Sequence, residues 1–138
     1  KMGKLYCSCK ERFLPGGLKS DIVQTNMKYT GNDFYCDVAL KDTSMLKKEY
    51  ESENVLAFHH TCPYWPVHIV IVPKKHILSF TNREKEDEVV ISEMLQVIRI
   101  IAKKVEEEKG EARILTNLGK YQDSKHLHFH VSSGDVLR

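Results

Sequence analysis

Residues His126-Leu127-His128-Phe129-His130-Val131 alternate polar and apolar without a break. That period of two belongs to a β-strand, in which successive side chains point to opposite faces. The pattern therefore predicts that Leu127, Phe129 and Val131 enter a core while the three imidazoles share the other face. Neighbouring histidines on that face lie roughly 7 Å apart along the strand. The interleaved core residues exclude a purification tag. Three groups that titrate near neutral pH, set in one row, can attack an electrophile, donate protons and bind phosphate oxygens. Two plainer readings stay open at this point. The row can be a solvated, idle face, or it can hold a metal, since alternating strand histidines suit zinc.

A chain of 138 residues has room for one domain. Residues 1–32 differ from the rest: Cys7-Ser-Cys9, a Pro15-Gly16-Gly17 breaker and scattered lysines, with no sustained period. They read as a loosely structured extension, and Met27 as a natural start. The domain is expected over 33–138. Phe34–Leu40 reads as a short helix with Tyr35, Val38 and Ala39 turned inward. Leu46–Glu51 and Asn54–His59 read as strands around a turn at Ser52-Glu53, and Val67–Val72 as a β-branched strand closed by Pro73. Thr81-Asn-Arg-Glu84 has the form of a capping box before a long helix. Its apolar residues Val90, Met94, Val97, Ile98, Ile101 and Val105 recur at helical spacing up to Gly110. Arg113–Asn117 and His126–Ser132 complete the strands. This order predicts an α+β domain with an antiparallel sheet, one long helix and one short one.

Composition matters here mainly for what it excludes. A net charge of +2 offers no basic field for nucleic acid. No apolar run reaches membrane-spanning length, and no apolar signal segment opens the chain. The expectation is a soluble, cytoplasmic protein whose four cysteines, Cys7, Cys9, Cys36 and Cys62, are reduced thiols.

The histidine row, together with Val55-Leu-Ala-Phe-His59-His60 and Pro66-Val-His68-Ile-Val-Ile-Val-Pro-Lys-Lys-His76-Ile upstream, resembles the histidine triad family of nucleotide hydrolases and transferases. The resemblance spans about Asp33 to Gly134, with both blocks in the right order around a long helix. It implies a five-stranded antiparallel sheet, a homodimer, and nucleotidyl transfer through a covalent histidine intermediate. The middle histidine, His128, matches the nucleophile that attacks the α-phosphorus of a nucleoside phosphoramidate or dinucleoside polyphosphate; water then releases the nucleoside monophosphate. His126 matches the residue whose carbonyl holds the nucleophile's Nδ1–H. His130 matches the group that protonates the leaving group, and a histidine there favours hydrolysis over transfer. His68 matches a fourth site histidine that supports His126. The resemblance also places Tyr35, Val38, Phe58 and Val70 around the base, His60 at the ribose, and Asn117, Gln122 and Ser124 near the phosphate.

The chain departs from the family pattern in several places. The ribose position, typically acidic or Asn, is His60; the loop from Asn117 to His126 looks short; and the chain stops soon after Ser132-Ser133-Gly134. Some relatives bind structural zinc through Cys-x-x-Cys and two histidines, whereas this chain has Asp33-Phe-Tyr-Cys36. A mixed set of Asp33, Cys36, His68 and His126, which Cys7 and Cys9 can supplement, is the corresponding zinc site. No cofactor or metal is required for the expected reaction. The partners expected are a small-molecule nucleotide and a second copy of the chain, with neither membrane nor nucleic acid. A nucleotide-binding or scaffold protein with little turnover is the alternative, followed by a zinc-binding protein.

Overall fold

The computed structural model describes residues 33–137. The expected extension over 1–32, the start at Met27, and Cys7 and Cys9 lie outside the described residues. Among the described residues the β-rich segments form β1 (Lys48–Glu51), β2 (Val55–His59), β3 (Val67–Pro73), β4 (Arg113–Leu115) and β5 (Phe129–Ser133), and the long apolar-periodic segment forms α1 (Glu88–Lys109). The strands make one five-stranded sheet in the order β1-β2-β3-β5-β4, every neighbouring pair antiparallel. The chain leaves β3, crosses one face as α1, pairs β4 at the far edge and returns through β5 in the gap. β5 therefore lies inside the sheet and carries a strand on each side.

Alternation along the inner strands divides the core in two. Val55, Ala57, Ile69, Ile71, Phe129 and Val131 face α1 and pack on Ile91, Met94, Val97, Ile98, Ile101 and Val105. On the opposite face, Leu56, Phe58, Val70 and Val72 are covered by Phe34, Tyr35, Ala39 and Leu46. β2 and β3 are thus apolar on both faces, as strands buried on both faces are. β5 is apolar toward α1 only.

Several boundaries differ from the expectation, each for a local reason. The short helix is a single π-helical turn, Tyr35–Ala39, which buries Tyr35 and Ala39, while Val38 is half-buried. The helix start is not a Thr81–Glu84 box. Asn82 forms a turn with Ser79, and Glu84 N–H donates to the Asp87 carboxylate at 2.9 Å. A turn of 3-10 helix over Lys85–Asp87 then precedes α1. The C-terminal end is as expected: Gly110 adopts φ +86° and its N–H bonds Glu106 O at 2.7 Å. β5 pairs only from Phe129, later than His126. Its partner β3 ends at Pro73, which has no N–H to continue the ladder, and Leu127 N–H turns instead to Ile77 O. The β4 ladder stops at Leu115 rather than Asn117, and just beyond it the Thr116 hydroxyl donates to His128 O at 2.6 Å.

Cysteine chemistry also differs. Among the described residues Cys36 carries a free thiol, but Cys62 is disulfide-bonded. The expectation of four reduced thiols is corrected to that extent.

Candidate functional site

Register places the chemistry-bearing side chains on the sheet face that α1 does not cover. Phe58, Val70, His130 and Leu115 stand opposite one another across β2, β3, β5 and β4; one step along the strands, His68, Ser132 and Arg113 do the same. Leu127 is buried on the α1 side with Phe129 and Val131, and His126, His128 and His130 are buried too. The expected division of the row holds although the strand begins later. A chain of ring contacts follows: Tyr35 to His128 with centroids 4.8 Å apart, His128 to His130 at 5.0 Å, His130 to His68 at 4.9 Å, and His68 to His60 at 4.2 Å.

Backbone groups decide which nitrogen of each ring carries the proton. His128 Nδ1 lies 2.7 Å from His126 O, and a carbonyl only accepts, so Nδ1 is protonated and Nε2 keeps its lone pair. His126 Nε2 lies 2.9 Å from Pro73 O and donates its proton there. Tyr64 N–H donates to His68 Nδ1 at 3.1 Å. The His68 proton is then on Nε2, donated to His130 Nδ1 at 2.8 Å, and His130 carries its own proton on Nε2. Burial pushes His128 down to about 4, against the pull of the His126 carbonyl in the other direction. Burial, with His128 and His68 beside it, holds His130 well below the ordinary histidine value. Both rings are neutral at pH 7, one presenting a lone pair and the other an N–H.

His68 is not where the resemblance put it. It supports His130 rather than His126, and it is no member of the metal-capable group. That group is Asp33, Cys36, His76 and His126, whose ligating atoms all lie within 4.8 Å of one another. His126 Nδ1 stands 3.3 Å from Cys36 Sγ and 3.2 Å from Asp33 Oδ2, while His76 Nδ1 reaches Asp33 Oδ2 at 2.6 Å and Cys36 Sγ at 3.7 Å. The Asp33 carboxyl is raised by burial but held below its usual range by the Cys36 amide and His126. Burial, then the neighbouring carboxylate, pushes the Cys36 thiol up to about 11. The donor set fits a divalent zinc-like ion. His126 Nδ1 already faces the group, its other nitrogen is held by a backbone carbonyl, and a cation would offset the charge that now disfavours thiolate. His76 lay in plain sight in Pro73-Lys-Lys-His76, and its spacing from Asp33 and Cys36 carried no period that would have singled it out.

The residues expected around a nucleoside are brought together in part. Tyr35, Phe58, Val70 and half-buried Val38 belong to one apolar cluster, with Val70 fully enclosed between Phe58 and His130. His60 joins the imidazole stack and lies 6.2 Å from the His130 ring, closer to the triad than its place in the chain implies. Asn117 is half-buried just past β4. Gln122 and Ser124 are buried and engaged. Gln122 Nε2 donates to Leu78 O at 2.8 Å, and Ser124 Oγ accepts the Phe34 N–H at 2.8 Å, pinning the π-turn to the loop before the triad. Trp65, its ring 4.8 Å from His68 and 5.4 Å below the Arg113 guanidinium, closes the far end and was not anticipated.

A family model for the HIT domain matches residues 44–136. An uncharacterized HIT-like protein of Chlamydia muridarum is 33% identical over 91 residues, covering 65% of this chain and 72% of the relative. One from Buchnera aphidicola is 31% identical over 90 residues, covering 64% and 80%. Among solved structures, a histidine triad protein from Clostridium difficile has a TM-score of 0.63 at 32% identity, covering 80% of this chain and 96% of that one. A HIT family hydrolase from Clostridium thermocellum has a TM-score of 0.58 at 28% identity, with the same coverage.

The buried neutral state of His130, packed against His68 and His128, has a consequence for stability. Its folded pKa lies below the unfolded value of 6.5, so the unfolded chain binds the extra proton first as pH falls. Its contribution is complete above pH 6.5 and is lost progressively below it. Thermal melts across pH 7.5 to 5 should show a falling melting temperature, and His130→Phe should flatten that decline; an equally steep profile in the variant would show that other groups cause it.

Proposed function

This chain belongs to the HIT domain family, and from that premise we propose that it hydrolyses the α-phosphate bond of nucleoside phosphoramidates or dinucleoside polyphosphates through a nucleotidyl-histidine intermediate. The observation that carries the reading is the bond from His128 Nδ1–H to His126 O, which leaves Nε2 of a neutral ring as a free lone pair at pH 7. Nε2 attacks the α-phosphorus and the bond to the leaving group breaks. His130 Nε2–H hydrogen-bonds the departing atom, which takes its proton from solvent, and the His126 carbonyl stabilises the charge gained by the nucleotidylated ring. Water, losing its proton to solvent, then attacks phosphorus and frees the nucleoside monophosphate, restoring His128.

The base sits beside half-buried Val38, at the edge of the cluster that encloses Tyr35, Phe58 and Val70, with His60 at the ribose and Asn117, Gln122 and Ser124 toward the phosphate. Incubation with adenosine 5′-phosphoramidate and with diadenosine tetraphosphate tests the reading: adenosine monophosphate should accumulate. His128→Ala should abolish this while nucleotide still binds. His130→Ala should slow poor leaving groups by about 100-fold or more and activated ones far less. Tight nucleotide binding with no product from either substrate would instead establish the scaffold alternative.

The Asp33, Cys36, His76 and His126 group supports a second proposal, a structural zinc that ties the π-turn to the segment before β5. Stoichiometric zinc after purification and a lower melting temperature in chelator are expected; metal-free protein that melts unchanged in chelator and in added zinc would exclude it. The homodimer also remains a proposal. Edge strand β4 exposes Ile114, and α1 exposes Val89 and Ile100, more apolar surface than a core stripe needs. Sedimentation as a monomer at micromolar concentration would defeat it. No described helix is long and apolar enough to cross a membrane. A cytoplasmic location belongs to the proposal; the free Cys36 accords with it and the disulfide at Cys62 does not.

A further inference from the structure

We infer that one backbone amide, the Tyr64 N–H, sets the direction in which the His68–His130 pair holds its protons, and that the C-terminal segment Gly134–Leu137 holds that amide in place. Two neutral imidazoles joined nitrogen to nitrogen have two arrangements. In one, His68 donates to His130, and His130 offers Nε2–H to the site. In the other, His130 donates to His68 and turns a bare Nε2 to the site, where it can accept a proton but not give one. The 2.8 Å contact between His68 Nε2 and His130 Nδ1 is compatible with either. What breaks the tie is the far nitrogen of His68. Its Nδ1 accepts the Tyr64 N–H at 3.1 Å, so it cannot also carry a proton. The same loop treats His60 alike, the Cys62 N–H donating to its Nδ1 at 2.9 Å.

The Tyr64 residue is in turn clasped from behind. Leu137 N–H donates to Tyr64 O at 2.6 Å. Gly134 adopts φ +96° and passes so close to Pro66 that an added Cβ would lie 2.8 Å from two of its ring carbons. Arg113 bonds Gly134 O and Ser132 Oγ while its guanidinium covers Trp65, tying the segment to the same loop. Hydrogen bonds thus run without a gap from Leu137 through Tyr64 and His68 to the proton on His130 Nε2. The proton direction stands on this geometry alone; its catalytic consequence rests on the hydrolase reading above. Tyr64 and Leu137 are positioning residues, since neither needs to touch a substrate.

Imidazole ¹⁵N resonances distinguish the two tautomers directly, in the whole chain and without substrate. At neutral pH the wild-type protein should show both His68 and His130 protonated at Nε2. Leu137→Pro removes the N–H that holds Tyr64 O at a residue 55% exposed, and it should shift part of His130 to the Nδ1–H form. Tyr64→Pro removes the amide itself and should do so further, while His128 keeps its Nδ1–H in both. If Tyr64→Pro does not fold, Leu137→Pro and Gly134→Ala carry the same expectation. Where turnover is present, these variants should lose about tenfold on unactivated leaving groups and little on activated ones. A wild-type His130 protonated at Nδ1, or a Leu137→Pro variant with His68 and His130 unchanged, would overturn the inference. Correct tautomers without turnover would overturn the hydrolase reading alone.

Discussion

The hydrogen bond from His128 Nδ1–H to the carbonyl of His126 is the constraint on which the rest of the site depends. It exists because two residues of extended chain return a side chain to the same face, beside the carbonyl of its predecessor. It fixes the tautomer of a ring that burial keeps neutral, and so determines which nitrogen can react. No side-chain base is needed to expose that lone pair. His126 itself is held by Pro73 O, and Thr116 holds the carbonyl of His128, so the segment is pinned before its strand pairing begins.

A buried imidazole nitrogen is costly unless it has a partner. No buried side-chain nitrogen or oxygen among the described residues lacks one. The partners are mostly backbone carbonyls and amides, drawn from positions where regular pairing stops: Pro73 at the end of β3, Tyr64 before it, His126 before β5. The breaks in the sheet and the satisfied histidines are the same feature seen from two sides. The apolar strands β2 and β3 supply the rigid floor, and the π-turn bearing Tyr35 covers only part of it, leaving the imidazoles where the apolar cover ends.

Much of this was legible in the sequence because it rests on period. The helical spacing from Met94 to Val105, the αL stop at Gly110 and the alternation of Leu127, Phe129 and Val131 each read directly. The start of α1 did not, because a competing turn at Ser79–Asn82 and the Asp87 carboxylate decided it. The role of His68 was misassigned, and His76 was given none, for a related reason. Both lie in the block around β3, but one stands within the strand beside His130 and the other beyond Pro73, beside Asp33 and Cys36. Only three-dimensional register separates them. The Tyr64 amide has no sequence signature at all, since every residue but proline supplies one.

The most direct test of the account is chemical identification of the reacting atom. Rapid quenching during turnover of an adenosine phosphoramidate, followed by peptide mass spectrometry, should trap an adenylyl group on His128, and the proton-coupled nitrogen spectrum of that adduct should place it on Nε2 with Nδ1 still protonated. An adduct on any other residue, or on Nδ1 of His128, would contradict the claim that the His126 carbonyl selects the nucleophilic nitrogen.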